Sequence, residues 1–183
     1  MTVFEDALKH TLGIEGGYSD DARDSGGKTR WGITEAKARA WGYTGEMSTL
    51  PKELAIQIYR TDFWDALQLE RVATICPELA REMFDTAVNC GLGRPVMFLQ
   101  RLLNVLNRGA TDYPDLTVDG VIGGNTLASL RAFLTRRGNM GAKVLVTVMN
   151  AQQAMFYMEL AEKRPKDEAF TFGWFVNRVL EEA

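Results

Sequence analysis

The residues best suited to chemistry in this sequence are two carboxylates separated by a glycine-rich turn. Glu15 follows a helical recurrence of Phe4, Ala7, Leu8, Thr11 and Leu12 that Gly13 and Gly16-Gly17 bring to a stop, which puts it at or just past the C-terminal end of a first helix. Asp24 lies within residues 16–33, a Gly- and Asp-rich stretch with almost no apolar periodicity that reads as turns and short strands. Cleaving a glycosidic bond needs a protonated carboxyl to donate to the leaving oxygen. It commonly needs a second carboxylate to activate water or stabilise positive charge on the sugar. Glu15 suits the acid, because a helix C-terminus disfavours negative charge and neighbours such as Leu12 and Ile14 desolvate it. Asp24, in a polar turn, is expected to stay ionised. Spacing alone does not decide the matter: an exposed glutamate near a helix end and an ordinary Asp-Ser-Gly-Gly turn are the commoner explanation of such a pattern.

Other chemistries fit poorly. The acids at 20, 21 and 24 lack the alternate spacing and closing glutamate of a calcium loop. Gly26-Gly27-Lys28-Thr29 lacks the upstream glycine and preceding strand of a phosphate loop. Cys76, Cys90 and the single His10 do not make a zinc set, and the cysteines read as reduced core residues, with a disulfide left open. A net charge of −3 argues against a general nucleic-acid binder. The N-terminus has no basic and apolar leader pattern, and the most apolar run, Val144 to Met149, is far too short to span a membrane. Synthesis in the cytoplasm is therefore expected.

The elements that must position the carboxylates are mostly helices. With 46% hydrophobic and 25% charged residues, 183 residues suffice for a sizeable core. Thr34 reads as the N-cap of a helix to about Trp41. Ser48-Thr49-Leu50-Pro51 opens one carrying Leu54, Ile58 and Tyr59, and Pro77 opens another that Gly91 ends. Pro95 starts a third, residues 107–123 form a polar loop with an Asp119-Gly120 turn, and helices are expected over about 125–136 and 142–163. Tyr59, Phe63 and Trp64 read as core, as do Met149, Met155 and Met158, and Arg131 to Arg137 as a solvated face.

Four segments in order resemble one family. The run from Glu15 to Thr34, E-G-G-Y-x₅-D-x-G-G-x-T-x-x-G-I-T, resembles the signature of the N-acetylmuramidases of glycoside hydrolase family 108. Ala55 to Trp64 looks like that family's A-x-x-I-Y-x-x-x-Y-W helix, and Phe84 to Gly91 like its F-D-x-x-V-N-x-G segment. Pro95 to Leu103 and Asp119 to Gly123 resemble its C-terminal predicted peptidoglycan-binding region. The chain departs from the usual motif at Ala22 and Ser25, where the family often has proline. The resemblance implies that Glu15 is the catalytic acid. By similarity to the Glu-x₈-Asp…Thr arrangement of phage lysozymes, it also implies Asp24 as base or electrostatic stabiliser and Thr29 as the group that orients water.

Tyr18 and Trp31 flank this segment and can stack on sugar faces or pack on the core. Asp85 and Asn89, one helical turn apart, can face substrate or fill capping and buried-polar roles. The expectation is thus a mainly α, lysozyme-like α+β fold, a helical bundle with a small β-hairpin forming one wall of a cleft. Residues 1–92 would form a catalytic lobe and 93–183 a helical peptidoglycan-binding-like lobe packed against it. The activity implied is hydrolysis of the β-1,4 bond between N-acetylmuramic acid and N-acetylglucosamine, with no cofactor and no metal. Peptidoglycan glycan strands are the expected partner of a monomeric endolysin that a holin releases to act in the periplasm. The alternatives are a lytic transglycosylase and a non-catalytic wall-binding or virion structural protein.

Overall fold

The computed structural model describes residues 1–12, 17–19 and 27–180. Helix α1 (Val3–Leu12) opens with a reciprocal cap: the Glu5 amide donates to Thr2 Oγ1 at 3.2 Å, and the Thr2 amide to the Glu5 carboxylate at 2.7 Å. The Thr2 backbone bond holds the Glu5 carboxyl below its usual range, against a smaller opposing effect of desolvation. Its apolar stripe, Phe4, Ala7, Leu8 and Thr11, is buried, chiefly against α5 (Pro77–Cys90). Phe4 meets Trp64 and Phe84 edge-on with ring centroids 5.5 and 6.0 Å apart, and Tyr59 closes the cluster on Phe84 at 6.2 Å. Burying one such side chain contributes about 1.5–3 kcal/mol, so this aromatic knot is a main anchor for α1.

After α1 the chain forms a small antiparallel sheet, β1 (Tyr18–Ser19), β2 (Thr29–Arg30) and β3 (Ile33–Thr34), in sequential order. The register pairs Tyr18 with Arg30, Ser19 with Thr29, and Thr29 with Thr34. Thr34 also caps α2 (Glu35–Ala40), its hydroxyl accepting from the Lys37 amide at 3.3 Å, as its position before the helix requires. Pro51 precedes α3 (Lys52–Tyr59), whose axis continues as a wider π-type turn over Arg60–Asp65. A short α4 (Leu69–Ala73), not expected from periodicity, links this turn to α5. Pro77 occupies the first turn of α5, and Gly91, at φ 95°, terminates it in a conformation costly for other residues.

Helix α6 (Gly93–Leu106) starts two residues before Pro95. The loop that follows is latched by buried Gln100, which donates to Asp119 Oδ1 at 2.8 Å and accepts from the Gly120 amide at 3.0 Å. The two helices expected over about 125–136 and 142–163 are present, written together as α7 (Gly124–Lys163); Gly138, at the non-helical φ 55° and ψ −148°, separates them at a kink. Helix α8 (Glu168–Trp174) runs into a second π-type turn, Phe175–Leu180. Met149 is buried, but Met155 and Met158 are exposed, which corrects the expectation that all three belong to the core. They fall on the outer face of α7, whose other side carries Met149, Gln153 and Tyr157 inward. Cys76 and Cys90 are buried free thiols at opposite ends of α5, a separation no disulfide can bridge. The architecture is mainly helical with one small sheet near the start, the lysozyme-like α+β class expected, and no helix among the described residues is long and apolar enough to cross a membrane.

Candidate active-site cleft

Glu15 and Asp24 lie outside the described residues. Helix α1, from Thr2 just before it to Leu12 at its end, forms one side of the candidate cleft, and Trp31 of the β2–β3 turn the other. Between them and α3 is a cavity of about 740 Å³ lined by Leu8, Lys9, Leu12, Trp31, Lys52 and Ile56 among others. Its walls are mainly aliphatic and aromatic, with Lys9, Lys52 and Arg60 as cations and Glu5 as an acid at its edge.

Trp31 is held rigidly at the turn. Its backbone takes φ 54°, its indole N–H donates to the Leu50 carbonyl at 2.9 Å, and its own carbonyl accepts from the Tyr59 hydroxyl at 3.1 Å. The Arg30 guanidinium and the Lys52 ammonium lie 5.2 and 5.4 Å from its ring centroid, within cation–π range. Arg30 also donates to the Ser48 carbonyl, which pins the hairpin to the segment before α3. Burial pushes the Tyr59 hydroxyl's pKa well above its ordinary value, an effect the nearby Arg178 charge only partly offsets, so the phenol remains a donor. Gly32 is required here: at φ 71° a Cβ would come within 2.5 Å of the Tyr59 oxygen.

Thr29 sits half-buried in the central strand, opposite both Ser19 and Thr34. Tyr18 is on the outer strand opposite Arg30 and is 43% exposed. The structure therefore brings Thr29 and Tyr18 onto one small sheet, with Trp31 in the turn that joins its last two strands. Asp85 and Asn89 lie elsewhere. Asp85 is only 4% exposed. Its Oδ2 accepts from Asn89 Nδ2 at 3.0 Å and Gln153 Nε2 at 3.2 Å, and its Oδ1 from Arg178 Nη1 at 3.1 Å. Asn89 donates in addition to the Asp85 carbonyl at 2.9 Å. Of the two roles open to this pair, the geometry is that of a buried polar network. Gln153 extends it to Tyr157 at 2.8 Å and to Thr86 at 2.7 Å.

Sequence reasoning missed Arg178, Gln153 and Lys52. Arg178 and Gln153 reach Asp85 from 93 and 68 positions away, and no local periodicity reports such a pairing. No group of three or more potential ligands for a metal ion occurs among the described residues.

Comparison with known proteins accounts for most of the chain. Residues 8–91 match the family model described as Glycosyl hydrolase 108, and residues 94–179 the one described as Predicted Peptidoglycan domain. Among solved structures the chain is similar to that of SagA from Brucella abortus, at 26% identity and a TM-score of 0.67, covering 98% of this chain and 90% of that one. No curated protein matches. With the small sheet in the first matched segment and α7 in the second, the chain carries a glycosyl hydrolase 108 domain joined to a predicted peptidoglycan domain, and is a glycoside hydrolase.

Proposed function

We propose that this chain is a muramidase that hydrolyses the β-1,4 bond between N-acetylmuramic acid and N-acetylglucosamine in peptidoglycan. Glu15 protonates the leaving oxygen, Asp24 acts as base or stabilises developing positive charge, and Thr29 orients the attacking water. The observation that carries this reading is the cavity whose lining includes Leu8 and Leu12 before Glu15 in sequence and Trp31 after Thr29. The residues that bracket the proposed catalytic segment thus line one groove. Its aliphatic walls and fixed indole suit the apolar faces of sugar rings. Lys9 and Lys52 supply local attraction for the carboxylates of the wall polymer, which an overall charge of −3 does not. The finer biological reading is an endolysin, acting in the periplasm after release through a holin pore.

The deciding experiment compares wild type with Glu15→Gln on purified peptidoglycan and identifies the products by mass spectrometry. Reducing muramic acid ends that vanish in Glu15→Gln support the proposal. Products ending in 1,6-anhydro muramic acid would replace hydrolysis by transglycosylation. Full activity in Glu15→Gln would remove Glu15 from the mechanism. For the endolysin reading, co-expression with a holin should lyse the host abruptly while Glu15→Gln leaves it intact.

A further inference from the structure

Thr11 lies in the last described turn of helix α1 and is 2% exposed. Its carbonyl accepts from Arg178 Nη1 at 2.7 Å, a bond spanning 167 positions of sequence. The same nitrogen donates to Asp85 Oδ1 at 3.1 Å. Asp85 is fixed in turn by Asn89 from its own helix and by Gln153 from α7. One guanidinium therefore ties the end of α1 to the centre of α5 through a carboxylate that cannot swing.

This arrangement goes beyond what charge balance needs. A buried carboxylate calls for a cation, but nothing in that requirement directs the cation to the α1 carbonyl as well. A cation at a helix C-terminus also offsets the partial negative charge of the helix end. Thr11 precedes Glu15 by only four positions, and Arg178 lies within the predicted peptidoglycan domain while Thr11 and Asp85 lie within the glycosyl hydrolase segment. Building on the proposed function, we infer that Arg178 is a positioning residue for glycosidic cleavage. It anchors the end of α1 that carries the chain into Glu15, so the C-terminal half completes the active site of the N-terminal half and does more than bind the wall.

The test measures kcat and KM on solubilised glycan chains from purified peptidoglycan for wild type, Arg178→Gln, Arg178→Lys and Leu130→Ala. Leu130→Ala is a stability control in α7, where the side chain is fully buried. Arg178→Gln is expected to lower kcat by roughly 100-fold, the cost of a small misplacement of reacting groups, with KM within about twofold. Arg178→Lys, which retains the charge beside Asp85 but not the forked geometry, is expected to recover part of that loss. Leu130→Ala should lower Tm while keeping kcat within about threefold at temperatures where it is folded. Should Arg178→Gln fail to fold, Arg178→Lys carries the same comparison. An active wild type whose Arg178 variants retain kcat, or lose no more of it than Leu130→Ala does for a comparable drop in Tm, overturns the positioning role and leaves Arg178 as a counterion. A wild type that cleaves no glycan overturns the proposed function itself, and this role with it.

Discussion

The Tyr59 hydroxyl donates to the Trp31 carbonyl at 3.1 Å, fastening the β2–β3 turn to the end of α3 across 28 positions of sequence. Gly32 leaves just enough room for this bond, since a Cβ there would lie 2.5 Å from the same oxygen. Gly32→Ala should therefore destabilise the fold by at least about 1–2 kcal/mol from the positive φ alone, and displace the Tyr59 hydroxyl as well. Tyr59→Phe should cost about 1 kcal/mol. Urea denaturation followed by tryptophan fluorescence measures both, and a Gly32→Ala chain as stable as wild type would contradict the packing described.

The Trp31 indole is a groove wall held from two sides, by Leu50 through its N–H and by Tyr59 through its carbonyl. In the proposed enzyme, Trp31→Ala should raise KM for glycan chains about tenfold, equivalent to a stacking contribution of about 1.4 kcal/mol, with a smaller change in kcat. Trp31→Phe, which keeps an aromatic face, should fall between. Steady-state kinetics on soluble wall fragments separate these outcomes, and an unchanged KM in Trp31→Ala would remove the indole from substrate binding.

Both cysteines should be chemically silent in the folded protein. Burial pushes the Cys90 thiol up to about 12 and raises that of Cys76 as well, so neither supplies thiolate at neutral pH. Titration with a thiol-specific disulfide reagent at pH 7.5 should find almost no reaction until denaturant is added, when two thiols per chain should appear. Rapid labelling of the native protein would show that α5 opens.

Asp112 joins the 107–123 loop to its surroundings. Its hydrogen bonds to Arg108, at 2.5 and 3.1 Å, hold its carboxyl below the usual carboxylate range, and Arg136 at 3.3 Å adds to the effect. Asp119 is lowered too, first by its bond from Gln100. A carboxyl depressed in the folded state stabilises fully above its unfolded value, near 4, and loses that contribution as pH falls through the folded value. Tm should thus decline below pH 4 in wild type and decline less steeply in the Asp112→Asn, Asp119→Asn double variant. Calorimetry between pH 6 and pH 2.5 reads the difference, and parallel curves would contradict it.

Much of the scaffold was legible because its signals are local. Pro51, Pro77 and Gly91 bound helices through backbone constraints that act within a few residues, and Thr34 caps α2 through a bond three positions away. The stripe of α1 predicts its buried face because helical period alone brings Phe4, Ala7, Leu8 and Thr11 together. The helix α4 was not legible, because five residues carry too little periodicity, whereas the break between the two helices of α7 was, with Gly138 lying at the kink.

Local signals in the amino-acid sequence specified the helical scaffold and the strand-and-turn segment near its start, and the ordered motifs pointed to a glycoside hydrolase with Glu15, Asp24 and Thr29 as catalytic candidates. The neighbours of the described site residues came from packing between distant elements. That packing placed Trp31 between Leu50 and Tyr59, took Asp85 and Asn89 into a buried network with Gln153, and brought Arg178 to the end of α1. The reason is physical: backbone propensities and caps act over a few residues, whereas a buried carboxylate or a buried carbonyl near a helix end takes whichever donor the packed core delivers, however distant in the chain.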